Sequence, residues 1–77
     1  MTCWIRLSTI QEVKDFVALC SDCNFDIHLL TDRYTVNAKS IMGIFSLDLG
    51  KPIEVNVTES GPEVQAFFEA LSAYRST

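Results

Sequence analysis

The sequence predicts an α+β open-faced sandwich, a four-stranded sheet covered by helices on one face, with its elements in the order βαββαβα. Three observations carry this. Apolar and polar residues alternate over 3–7, 25–30, 34–38 and 53–58, the period of half-buried strands. Apolar residues recur at three- and four-residue spacing over 10–21 and 62–74, the period of amphipathic helices. Between the third and fourth strands, six large apolar residues crowd into positions 41–49, more than one amphipathic turn can hide.

In the first strand, Cys3, Ile5 and Leu7 share one face, with Trp4 and Arg6 on the other. Ser8 and Thr9 can cap a helix, and Thr9-Ile10-Gln11-Glu12 fits a capping box, in which hydroxyl and carboxylate each satisfy an orphan backbone N–H. Ile10, Val13, Phe16, Val17 and Cys20 form the inward stripe of that helix, which runs from about 10 to 21. Phe25 to Leu30 and Tyr34 to Ala38 flank the turn Thr31-Asp32-Arg33 and make a hairpin. Ser40 precedes the short apolar helix, which Gly50 and Pro52 are placed to stop. Ile53, Val55 and Val57 mark the clearest strand. Glu59-Ser60-Gly61 turns, and Pro62 fits the first turn of a last helix whose stripe is Val64, Phe67, Phe68, Leu71 and Tyr74.

At 77 residues the chain makes a single domain over 1–77, able to bury only about 60% of the surface its unfolded chain exposes. No apolar run reaches the roughly 18 residues of a membrane span, and the N-terminal run lacks a signal-peptide core. These features predict a cytoplasmic protein. A net charge of −4 with six scattered Lys and Arg provides no basic patch for nucleic acid.

Cys3, Cys20 and Cys23 are an odd count, which argues for free structural thiols. Cys20 and Cys23 form a C-x-x-C, but at the end of the first helix, where the dipole opposes thiolate formation; redox cysteines sit at helix N-termini. With His28 they match three ligands of a zinc knuckle, yet Arg33 occupies the fourth position. No metal or cofactor is expected. His28, the only imidazole, falls mid-strand on the polar face, as a surface histidine does.

The run Val36-Asn37-Ala38-Lys39-Ser40-Ile41-Met42-Gly43, extended by Ser46 and Leu47, closely resembles the histidine-containing phosphocarrier family, HPr, in particular a divergent member similar to catabolite-repression HPr. The resemblance implies the family's antiparallel sheet in spatial order 1-4-2-3. It makes Ser40 the regulatory phosphorylation site and Ile41, Met42 and Phe45, which helix spacing sets on one face, the partner-docking surface; the same spacing turns Ile44 and Leu47 toward the core. The family's phosphate-carrying histidine falls at Thr9, because its Gly-Ile-His-Ala-Arg-Pro signature is replaced by Leu7-Ser8-Thr9-Ile10-Gln11-Glu12, with Gln11 where the arginine stands. A hydroxyl forms a stable phosphate ester where an imidazole forms a labile one. Ser40 also suits a helix N-cap, a geometry that favours phosphate as well, and Lys39 adds an adjacent positive charge.

The resemblance therefore implies a non-enzymatic regulatory protein of the bacterial sugar phosphotransferase network, phosphorylatable on Ser40 and unable to relay phosphate. Its implied partners are the HPr serine kinase and a transcriptional regulator of catabolite repression. A phosphocarrier using an unconventional residue, and an adaptor with no phosphorylation, are the alternatives.

Overall fold

The computed structural model describes residues 1–47 and 49–75. Four strands, β1 (Thr2–Ile5), β2 (His28–Leu30), β3 (Thr35–Asn37) and β4 (Ile53–Asn56), and three helices, α1 (Ile10–Ser21), α2 (Ile41–Phe45) and α3 (Pro62–Ala70), follow the expected order, and a 3-10 turn over Leu71–Tyr74 ends the described chain. The sheet is antiparallel with strand order β1-β4-β2-β3. Cys3, Ile5, Leu29, Ile53 and Val55 point to one face, where they meet Val13, Phe16 and Cys20 of α1, Ile44 of α2 and Val64, Phe67 and Leu71 from the C-terminal region. The opposite face is open to solvent.

β1 is shorter than the alternation over 3–7 predicts. The backbone leaves β4 after Ile5 and pairs instead with the C-terminal turn, through the Arg6 N–H on the Tyr74 carbonyl at 2.8 Å and a bridge between Ile5 and Arg75. Leu7 is buried all the same. β2 and β3 are similarly trimmed to three residues each, although Phe25, Ile27 and Ala38 stay in the core and the Ala38 N–H still donates to Ile27. The turn takes four residues, Thr31 to Tyr34, closed by the Thr31 N–H on the Tyr34 carbonyl and the Tyr34 N–H on the Thr31 hydroxyl.

The capping box forms as predicted: Thr9 Oγ1 accepts from the Glu12 N–H at 3.0 Å, and the Glu12 carboxylate accepts from the Thr9 N–H at 3.1 Å. Thr9→Ala should therefore lower stability by about 0.5 to 2 kcal/mol, measured by urea unfolding. Ile10 departs from the predicted inward stripe and is 64% exposed. Helical side chains lean toward the N-terminus, and at the first position no earlier turn lies beneath to cover this one. Gly61 caps α3 at φ 135°, in the region open to glycine, and Pro62 begins the helix.

Candidate functional site

The segment from Asn37 to Ser46 is a rigid hook between β3 and α2. The Asn37 side chain accepts from the Lys39 N–H at 2.8 Å, and its carbonyl accepts from the Ser40 N–H at 3.0 Å, a local turn that asparagine favours. Ser40 is extended at φ −102°, ψ 105°, and its Oγ accepts from the Gly43 N–H at 3.2 Å. It is thus an N-cap, as predicted. Among the described residues its hydroxyl proton is given to no acceptor.

α2 ends sooner than Gly50 and Pro52 imply. Ser46 terminates it: the Ser46 hydroxyl donates to the Gly43 carbonyl at 2.6 Å, and the backbone N–H groups of Ser46 and Leu47 close tight turns on Gly43 and Ile44. A serine hydroxyl competing for a helix carbonyl explains this early stop. Two serines thus flank one short helix with opposite commitments, Ser40 as acceptor with its proton free and Ser46 as donor.

The α2 side chains divide as helix spacing predicts, with one correction. Ile44 and Leu47 are buried, whereas Met42 is 77% and Phe45 40% exposed. Ile41, expected on the outer face with them, is half-buried and packs against the core. With only five residues in α2, the first side chain leans back onto the preceding strand's face. Lys39, the adjacent positive charge, is anchored. Its ammonium donates to the Cys23 carbonyl at 2.9 Å, at the negative end of α1. The charge is committed there and ties the Ser40 segment to α1.

At the other candidate position, Thr9, the N-terminus of α1 already holds an anion. The Glu12 carboxylate accepts from the N–H groups of both Ser8 and Thr9, at 2.9 and 3.1 Å. Gln11 is engaged along the helix, its amide donating to Asp15 at 2.9 Å. His28 lies exposed at the start of β2, opposite Asn37 and Asn56.

The cysteines are free thiols. Cys20 is buried in the core while His28 is exposed on the open face, so the two cannot share an ion, and no cluster of metal-ligating side chains occurs among the described residues. Burial pushes the Cys20 thiol up to about 12, reinforced by Cys23 and opposed by Lys39, and burial likewise raises Cys3 and Cys23. The reactive thiolate is thereby suppressed. Alkylation at neutral pH should be slow for Cys20 in the folded protein and fast after unfolding. The sign of the pH effect follows: above about pH 9 the unfolded thiol ionises while the folded one stays protonated up to about 12. Stability from this group, intact below pH 9, is lost as pH rises through that window, which urea unfolding at pH 8 and 10.5 would reveal.

Among the described residues no helix is long and apolar enough to cross a membrane. The family model described as the HPr component phosphorylation site of the phosphotransferase system matches residues 11–76, a span that begins two positions after Thr9. The HPr-like protein Crh of Bacillus subtilis (strain 168) is 34% identical over 73 residues, covering 91% of this chain and 86% of that protein. Among solved structures, a phosphocarrier protein HPr from Bacillus anthracis str. Ames superposes with a TM-score of 0.73 at 29% identity, over 99% of this chain and 96% of that one. HPr-C-His from Thermoanaerobacter tengcongensis gives 0.73 at 26% identity, over 95% and 90%. Proteins of this family are phosphocarriers rather than catalysts, working with other proteins of the phosphotransferase network. The match over most of the chain, the Crh-level identity and the shared 1-4-2-3 sheet place this chain in the HPr family of the phosphotransferase system.

Proposed function

We propose that this chain is a non-enzymatic, cytoplasmic regulatory member of the HPr family, phosphorylated on Ser40 by the HPr serine kinase and docking its partners through Met42 and Phe45, with Ile41 supporting them from beneath. A transcriptional regulator of catabolite repression is the partner class that this reading carries over. The observation that supports it most is the Ser40 hydroxyl, exposed and with its proton uncommitted, beside two exposed apolar side chains. A kinase must remove that proton as the oxygen attacks the nucleotide's terminal phosphorus. The Ser46 proton is occupied by the Gly43 carbonyl, which favours Ser40 over its neighbour.

Phosphate on Ser40 meets the first N–H groups of α2. Its effect on stability should be small, within about 0.3 to 1 kcal/mol, and its main consequence is a dianion set beside an apolar docking patch. Incubation with kinase and nucleotide, then peptide mapping, tests the assignment.

The relay function is lost in this reading. Position 9 holds a hydroxyl, Gln11 is turned to Asp15, and the Glu12 carboxylate, held by the N–H groups of Ser8 and Thr9, sets a negative charge beside the helix terminus. A second anion there would be repelled. Incubation with phosphoenolpyruvate and the general enzyme of the system should therefore add no acid-labile phosphate to any residue. A labile adduct seen by intact mass would instead support an unconventional phosphocarrier.

A further inference from the structure

The open face of the sheet is polar with two exceptions. Reading across β1, β4, β2 and β3, one row is Thr2, Asn56, His28 and Asn37, and the next is Trp4, Glu54, Leu30 and Thr35. Trp4 and Leu30 thus stand on either side of Glu54, roughly 10 Å apart at ordinary strand spacing. Pro52 and Tyr34 close the end of this row, and the whole bounds a cleft of about 380 Å³, within the size range of ligand sites. Trp4 is 52% and Tyr34 60% exposed. The hairpin turn that carries Tyr34 is fixed by its own hydrogen bonds, so the wall is built before any ligand arrives.

Glu54 is half-buried between these walls and, among the described residues, its carboxylate makes no hydrogen bond or ion pair. The carboxylate therefore keeps its acceptor sites for a donor from outside, and an aromatic face beside it selects for a cation. Asp32 and Arg33, neighbours in the turn, bring one negative and one positive charge to the cleft, while Lys51 on the rim has a partner of its own. We propose that this cleft is a second docking site, distinct from the α2 patch, which takes an arginine side chain of a protein partner. The guanidinium would stack on Trp4 and donate to Glu54. Arginine suits it better than lysine because its planar fork both stacks on an indole and pairs with a carboxylate. The chain's net charge of −4 favours the approach of such a basic surface.

Trp4 is the only tryptophan, so its fluorescence reports on the cleft alone. The test titrates a blocked Gly-Arg-Gly peptide against the same peptide with citrulline, a neutral isostere. The arginine peptide should shift the Trp4 emission saturably, the citrulline peptide should not, and Glu54→Gln should weaken binding about tenfold or more, the loss of one charge-assisted hydrogen bond. Glu59→Gln, which changes the net charge equally at the other end of β4, should leave binding unchanged. Equal responses to both peptides, no response to either, or equal weakening by Glu54→Gln and Glu59→Gln would overturn the proposal. Should Glu54→Gln impair folding, chemical shifts of the unaltered protein decide: perturbations centred on the Trp4 indole and Leu30 methyls support the site, and shifts scattered over the acidic surface refute it.

Discussion

Replacing Ile44 with alanine should cost about 2 to 5 kcal/mol of folding stability, whereas replacing Met42, two positions earlier in the same helix, should change it by less than about 0.5 kcal/mol. Ile44 has no exposed surface and joins the core that α1 and the sheet enclose; Met42 is almost wholly in solvent. Phe45→Ala should fall between, at about 1 kcal/mol, because its ring is only partly uncovered. The contrast separates the two jobs of α2. If Met42→Ala destabilised the protein as much as Ile44→Ala, the exposed patch would be part of the core and could not serve as a docking surface. Urea unfolding with the slope held common to all variants makes the comparison.

Phe16→Ala should cost about 3 to 5 kcal/mol. Phe16 is fully buried at the middle of α1, and its ring meets Tyr74 edge to face at a centroid distance of 6.1 Å. Removing it opens a cavity under α1 and frees the 3-10 turn whose Tyr74 carbonyl holds the Arg6 N–H. A chain of this length has a total stability of about 4 to 12 kcal/mol. The variant should therefore unfold at a markedly lower urea concentration than the unaltered protein. A fully cooperative, near-normal unfolding curve would show that α1 is held by its flanking residues rather than by this ring.

Periodicity exposed the architecture because each element's apolar period matches its role: Val55 and Val57 on one face of a strand, Val13, Phe16 and Cys20 on one face of a helix. It failed at ends. Ile10 belongs to the stripe by spacing but projects past the covered region, and α2 stops at Phe45 because Ser46 takes the Gly43 carbonyl, a side-chain competition that hydrophobic period does not register. The candidate site was legible in parts. The Ser40 cap and the inward turn of Ile44 and Leu47 follow from local pattern, while the commitment of Lys39 to the Cys23 carbonyl depends on contact between α2's approach and the end of α1, sixteen residues apart. Likewise, the alternation placed Trp4 on the outer face, but the pairing that sets it beside Glu54 and Leu30 requires strand order. A strand pattern reveals which face a residue takes and is silent about its neighbours.

The capping box is legible in the sequence, yet its meaning for function emerges only from geometry. Glu12 reads in sequence as a helix-starting device; in the structure its carboxylate gathers the N–H groups of Ser8 and Thr9. The same carboxylate that stabilises α1 sets a negative charge beside position 9. That charge and the hydroxyl at position 9 both support the proposal that no phosphate is relayed there.

The central claim, that this protein is switched at Ser40, is tested most directly by treating it with HPr serine kinase and nucleotide and locating the product by peptide mapping. A single acid-stable phosphate is expected, on Ser40, abolished by Ser40→Ala, with chemical-shift changes confined to the neighbourhood of residues 39–47. Absence of phosphate at Ser40, or phosphate at Ser46 or elsewhere in its place, would contradict it.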